Sequence, residues 1–172
     1  GRALDVGKTT AAVVAAIKAR GYNQTCQAVV NPVPPTRTLA QIQANTQLIA
    51  SYTTEFKNSS SDTTVMNRVF NIRKAAGIIN GMAMAPGEVF SFNEFVGLRT
   101  SEGGWKDANG ISGGKEYTLQ PGGGICQVST TLYNALLCGN VKIVYRRAHS
   151  IPSDYVPLGL DATVDSSGID FQ

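Results

Sequence analysis

Two side chains in this sequence are suited by type and placing to covalent chemistry: Cys126, directly after Gly122-Gly123-Gly124-Ile125, and His149. A thiol becomes an acyl-transfer nucleophile when a base removes its proton and a third group holds that base. His149 is the only histidine, so any thiol–imidazole pair must join it to Cys126. The acceptor orienting the ring is best sought in Asp161, with Ser150 and Asp154 as weaker candidates. Gly123 and Gly124 let the backbone approach a ligand closely, and the amides of Gly124 to Gln127 can form an oxyanion hole. Arg99 and Arg147 carry forks suited to a substrate carboxylate, although arginines more often sit solvated or ion-paired. Trp105 and Tyr133 can wall a cleft by stacking or simply pack in a core. For Cys126 alone the plainer role is a small buried hydrophobe.

These residues need elements to hold them. After Pro121 and the glycines the composition turns helical, with Ile125, Val128, Leu132, Ala135 and Leu136 at three- and four-residue spacing and Gly139 as the stop. Cys126 then lies in the first turn, where the helix dipole favours a thiolate, so the sulfur is expected to stay reactive below pH 7. It shares a polar face with Ser129, Thr130 and Tyr133, read as facing a cleft. Residues 141–150 read as a strand whose period of two puts His149 with Val141, Ile143 and Tyr145 and turns Lys142 and Arg146 away. A last strand near residues 161–165 puts Asp161 and Thr163 on one side.

Upstream, Asp5 or Thr9 caps a helix through Ala11, Val13, Val14, Ala16 and Ile17 that Gly21 ends. Gly7-Lys8-Thr9-Thr10 is not a phosphate loop, because no glycine stands at the required spacing and no strand precedes it. A strand from Cys26 to Val30 is stopped by Pro32, Pro34 and Pro35. A helix from Thr38 to about Ala50 follows, then a polar connection over 51–63. Val65, Val69, Ile72, Ala76 and Ile79 mark a long helix from about Thr64 to Met82. Pro86-Gly87 turns into an alternating strand, 88–92. Residues 93–120 read as a long glycine-rich loop walling a cleft.

The chain has 172 residues, 42% hydrophobic and 16% charged, enough for one core plus a small appended piece. A net charge of +3 without a basic run sets nucleic acid aside, and no stretch is long enough to span a membrane. Three cysteines and one histidine fit no zinc pattern, so no metal or cofactor is expected. Cys26 and Cys138 read as inert packing thiols. The fold expected is α+β: a central helix with the cysteine at its N-terminus, packed on a mainly antiparallel sheet, after a small partial α/β module. The domains are read as 1–57 and 58–172, with the opening at Gly1 suggesting a piece of a longer protein.

Residues 86–93 (Pro-Gly-Glu-Val-Phe-Ser-Phe-Asn), 122–134 (Gly-Gly-Gly-Ile-Cys-Gln-Val-Ser-Thr-Thr-Leu-Tyr-Asn), His149-Ser150, Tyr155-Val156-Pro157, Gly159 and 161–164 resemble the VanW family over roughly residues 60–172. Residues 1–57 resemble, more weakly, the tail of a peptidoglycan-binding domain that often precedes it. The resemblance implies an extracellular, cell-wall-associated protein of Gram-positive bacteria, reaching the membrane only through an N-terminal anchor absent here. It further implies L,D-transpeptidase activity on peptidoglycan stem peptides, forming 3-3 cross-links, with the cysteine matching Cys126 as nucleophile. A thiol peptidase cutting the same bonds and a non-catalytic cell-wall binding module are the alternatives.

Overall fold

In a computed structural model, residues 1–20, 23, 25–44, 46–112 and 115–172 are described. The fold is α+β, and the chain divides into two compact units, Gly1–Gln47 and Leu48–Gln172.

The first unit holds β1 (Arg2–Leu4), α1 (Val6–Lys18), β2 (Val30–Pro32) and α2 (Leu39–Ala44). β1 and β2 pair antiparallel, with Ala3 opposite Asn31. Asp5 caps α1 by accepting from the Lys8 amide at 3.0 Å, as the sequence suggests. Gly21 lies outside the described residues, and α1 is closed by Ala19 instead. α2 is much shorter than the helix expected to reach Ala50, and the strand starts at Val30 rather than Cys26, whose thiol is exposed. None of the residues described in α1 or α2 is buried.

The second unit contains α3 (Thr63–Ile79), α4 (Phe92–Val96), β3 (Asp107–Ser112), β4 (Glu116–Pro121) and α5 (Cys126–Cys138). Residues 48–57 belong to it, 51–57 among them read as a polar connection: Thr54 Oγ1 meets Thr131 Oγ1 at 2.7 Å, and Gln127 Nε2 donates to Glu55 O. The expected strand at 88–92 is instead a helix entry. Ser91 caps α4 by accepting from Glu94 N, its hydroxyl donates to Asp170 Oδ2 at 2.7 Å, and Phe92 N donates to Phe171 O. Within 93–120, β3 and β4 form an antiparallel hairpin, Asp107 opposite Pro121 and Ser112 opposite Glu116, where a loop was expected. Gly113 and Gly114 lie outside the described residues. The core gathers Ile72, Ala75, Phe90, Phe92, Trp105, Ile125, Val128, Ala162, Val164 and Phe171.

The hairpin reaches the cysteine through α3. Asn71 is wholly buried on the same helix face as Ile72 and Ala75. Its amide nitrogen donates to Lys106 O at 2.7 Å and Gly123 O at 3.1 Å, and its oxygen accepts from Lys106 N at 3.0 Å. One side chain thus satisfies three backbone groups, two on Lys106 and a buried one on Gly123. Truncating it strands all three, so Asn71→Ala should destabilise the protein by roughly 2–4 kcal/mol. Asn67→Ala, which loses one exposed bond to Asp107 O, should cost under about 1 kcal/mol. Urea midpoints of both variants against the parent check this ordering.

Candidate functional site

Three glycines shape the approach to Cys126. Gly122 and Gly124 have φ of +81° and +97°, where any other residue is strained. A Cβ on Gly123 would run into the backbone of Ala108 and Asn109, so the turn lies flat against β3. Arginines flank it: a Cβ on Gly122 would meet Arg99 Cγ at 2.8 Å, and one on Gly124 would meet Arg68 Cγ at 2.5 Å.

α5 begins with Ile125 as N-cap and no side-chain cap bond. Ile125 N donates to Gly122 O, and Gln127 N to Gly124 O. Of the four amides proposed for an oxyanion hole, those of Gly124 and Cys126 keep no partner among the described residues. The Gln127 side chain is not available to a ligand. It is 2% exposed, its oxygen accepts from Arg68 at 2.5 Å, and its nitrogen donates to Thr54 and Glu55.

The polar face of α5 does not line an open cleft. Cys126 Sγ donates to Val164 O at 3.2 Å, Ser129 Oγ to Ala162 O at 2.7 Å, and Asn134 Nδ2 to Leu160 O at 2.7 Å, while Ala162 N donates to Thr130 Oγ1 at 2.9 Å. A helix advances about 1.5 Å per residue and an extended chain about 3.3 Å, so four helical residues keep step with two extended ones. Side chains near one helix line therefore reach alternate carbonyls of residues 160–164. This polar face is buried more deeply than the apolar stripe, with Ser129 and Thr130 fully enclosed.

The same segment holds the imidazole. Thr163 N donates to Arg147 O at 2.8 Å, laying 161–163 beside 147–149. Asp161 Oδ2 accepts from His149 N at 2.6 Å and meets His149 Nδ1 at 2.5 Å. Asp161 Oδ1 and the Asp161 carbonyl accept from Arg146. Burial works against the Asp161 carboxylate, but the bonds from His149 outweigh it and hold its pKa below the ordinary value. No comparable bond joins the His149 ring to Ser150 or Asp154 among the described residues. With Nδ1 taken by Asp161, Nε2 has no partner among the described residues.

Neither 141–150 nor 161–165 forms a regular strand. In the first, Ile143, Arg146 and His149 turn inward, a repeat of three, while Val141 and Tyr145 are exposed. Arg146, expected to point away, faces Tyr133 and Asp161.

The remaining residues separate. Trp105 is 5% exposed inside the core, with the Lys74 ammonium over its ring. Tyr133 packs edge-on against Phe171. Both serve packing. Arg147 is exposed, and Cys138 is exposed rather than packed. Arg99 is buried, donating NH1 to Asn93 Oδ1 and Gly97 O. Arg68 and Asn71 were not singled out by the sequence. Their place on one helical face with Ile72 and Ala75 is the signal that marks them as inward.

Cys126 itself is half-buried. The expected low thiol pKa is not what its surroundings produce. Burial pushes the thiol up, and the nearby Arg99 charge offsets this only in part. Its hydrogen bond is to Val164; none links it to His149 among the described residues. The resting group is a thiol donating to a carbonyl. Among the described residues no cluster of three or more histidine, cysteine or acidic side chains could hold a metal, and no helix is long and apolar enough to cross a membrane.

An α+β unit in which a triple-glycine turn feeds a cysteine-led helix, and in which the segment bonded to that helix holds a histidine through Asp161, defines the class. Residues 67–172 match the family described as VanW like protein, and the chain belongs to that family. Over 128 residues, 74% of this chain, it is 42% identical to "Uncharacterized protein YoaR" of Bacillus subtilis. Over 111 residues, 62% of this chain, it is 34% identical to "Vancomycin B-type resistance protein VanW" of Enterococcus faecalis. The matched part is 40% of the length of each relative. No solved structure matches the chain.

The raised thiol pKa makes a prediction opposite to the sequence expectation. Peptide-mapped iodoacetamide labelling should find exposed Cys26 and Cys138 modified first, with Cys126 lagging until the pH passes the ordinary thiol value near ~8.5. Because the Arg99 charge favours the thiolate, Arg99→Gln should move the Cys126 profile to still higher pH.

Proposed function

We propose that this chain carries the catalytic unit of a cell-wall enzyme of Gram-positive bacteria, an L,D-transpeptidase that forms 3-3 cross-links between peptidoglycan stem peptides. The observation that carries the reading is the 2.5 Å contact between His149 Nδ1 and Asp161 Oδ2. With a proton on Nδ1, that contact directs the basic lone pair to Nε2, the tautomer a general base requires. The name of the Enterococcus faecalis relative, a vancomycin resistance protein, supports a role at the cell wall and outside the membrane.

In the proposed reaction, donor binding displaces the Cys126 thiol from Val164 O, and His149 takes its proton. The thiolate attacks the carbonyl carbon of an L,D peptide bond in a tetrapeptide stem. The amides of Gly124 and Cys126 receive the developing oxyanion. The C–N bond breaks, the terminal D-residue leaves as an amine with the proton from His149, and a thioester remains. A side-chain amine of a neighbouring stem then attacks the thioester, gives up a proton and releases Cys126. With water as acceptor the same steps make a peptidase. No cofactor is required.

A second reading has its own observation. The Cys126–Val164 bond is one rung of the helix-to-backbone ladder, which suits a non-catalytic cell-wall binding module with a structural cysteine. Intact-mass spectrometry with purified stem tetrapeptides separates the two. The enzyme reading expects a thioester adduct on Cys126, none on Cys126→Ala, and acylation slowed roughly 10²–10⁴-fold by His149→Ala. Unmodified protein at every time point, with the fold intact, would favour the binding module.

A further inference from the structure

Resting on that reading, we propose that Arg68 is the specificity-determining residue of the site, docking a free carboxylate one residue beyond the scissile bond, so that the donor must end there. The guanidinium is fixed before any ligand arrives. Its stem lies along Gly124, where the positive φ and missing side chain leave it room, and Gln127 Oε1 holds NH2 at 2.5 Å. Gln127 is itself tied to Thr54 and Glu55, so little ordering entropy remains to be lost on binding. Among the described residues Nε and NH1 make no hydrogen bond, and no carboxylate forms an ion pair with this arginine, although Asp154 acts on it from farther off. It is half-buried, accessible to a ligand yet shielded enough for its charge to count.

A second, independent feature points to an anion. Across the same turn, Arg99 is 8% exposed, and its NH2 is buried without a partner. Buried donors are almost always satisfied, and this one sits on a cation. Arg99 is also the strongest charge acting on the Cys126 sulfur, which acts in turn on Arg68. The glycine turn therefore runs between two guanidinium groups beside the nucleophile. A neutral amide substrate has no use for this field. A substrate with a carboxylate next to the reacting bond does, and Arg68 offers the open half of its fork to it.

The test separates this subsite from the thiol chemistry. Cys126→Ser protein, whose hydroxyl can still donate to Val164 O, is titrated calorimetrically with a stem tetrapeptide and with its C-terminal amide. The acid should bind at least about tenfold more tightly than the amide; Arg68→Gln should erase that preference, and Arg68→Lys, keeping the charge without the fork, should restore part of it. Circular dichroism checks that each variant is folded. Equal binding of acid and amide, a preference that survives Arg68→Gln, or no saturable binding of either would overturn the proposal. Acid-selective binding without any thioester on the parent protein would sink the enzyme reading and leave the carboxylate subsite standing.

Discussion

The second unit depends on one device: polar side chains of α5 bond to the backbone of a neighbouring extended segment that has no complete sheet of its own. Cys126, Ser129 and Asn134 donate to the carbonyls of Val164, Ala162 and Leu160, and Thr130 accepts from Ala162 N. Without these partners the segment would carry buried, unsatisfied groups at about 1–3 kcal/mol each. With them, it is held closely enough to present Asp161 to His149 from its other side. The helix that supplies the sulfur therefore also fixes the residue that orients the ring.

The device accounts for the state of the sulfur. A cysteine at a helix start is exposed to a field that favours thiolate, and here Arg99 adds to it. Desolvation outweighs both, and a carbonyl acceptor rewards the protonated form. Since the folded thiol holds its proton more tightly than the unfolded one, its contribution to stability is present below the unfolded thiol's pKa and fades as the pH rises through the folded value.

What was legible in the sequence follows from where periodicity governs. α1, α3 and α5 were readable because apolar spacing and caps such as Asp5 agree. The β3–β4 hairpin was not, because Gly110 and the glycines after Ser112 hide the alternation, and its outward Tyr117 and Leu119 are apolar and exposed. Residues 141–150 read as a strand because Val141, Ile143 and Tyr145 alternate in sequence. The backbone instead buries every third residue, a consequence of bonding to Gln172 and to residues 161–163 rather than to a regular ladder. At the site, Cys126, His149 and Asp161 stood out by type. Asn71, Arg68 and the structural use of Gln127 did not, because polar side chains on a helix normally imply solvent. The face that Arg68 and Asn71 share with Ile72 and Ala75 marks them as inward, but tertiary contact is needed to show that they meet the turn.

The placing of Phe171 also bears on how this unit is made. It is fully buried among Phe90, Phe92 and Tyr133, and Asp170 bonds Ser91 across a separation of 79 residues. A chain emerging from a ribosome cannot close this centre until nearly all of residues 91–171 have been made. Until then α3 and α5 expose apolar surface, and pairing over such a separation is slow to find. Closure that late leaves the packing of the whole unit dependent on one distant segment, Asp170 and Phe171.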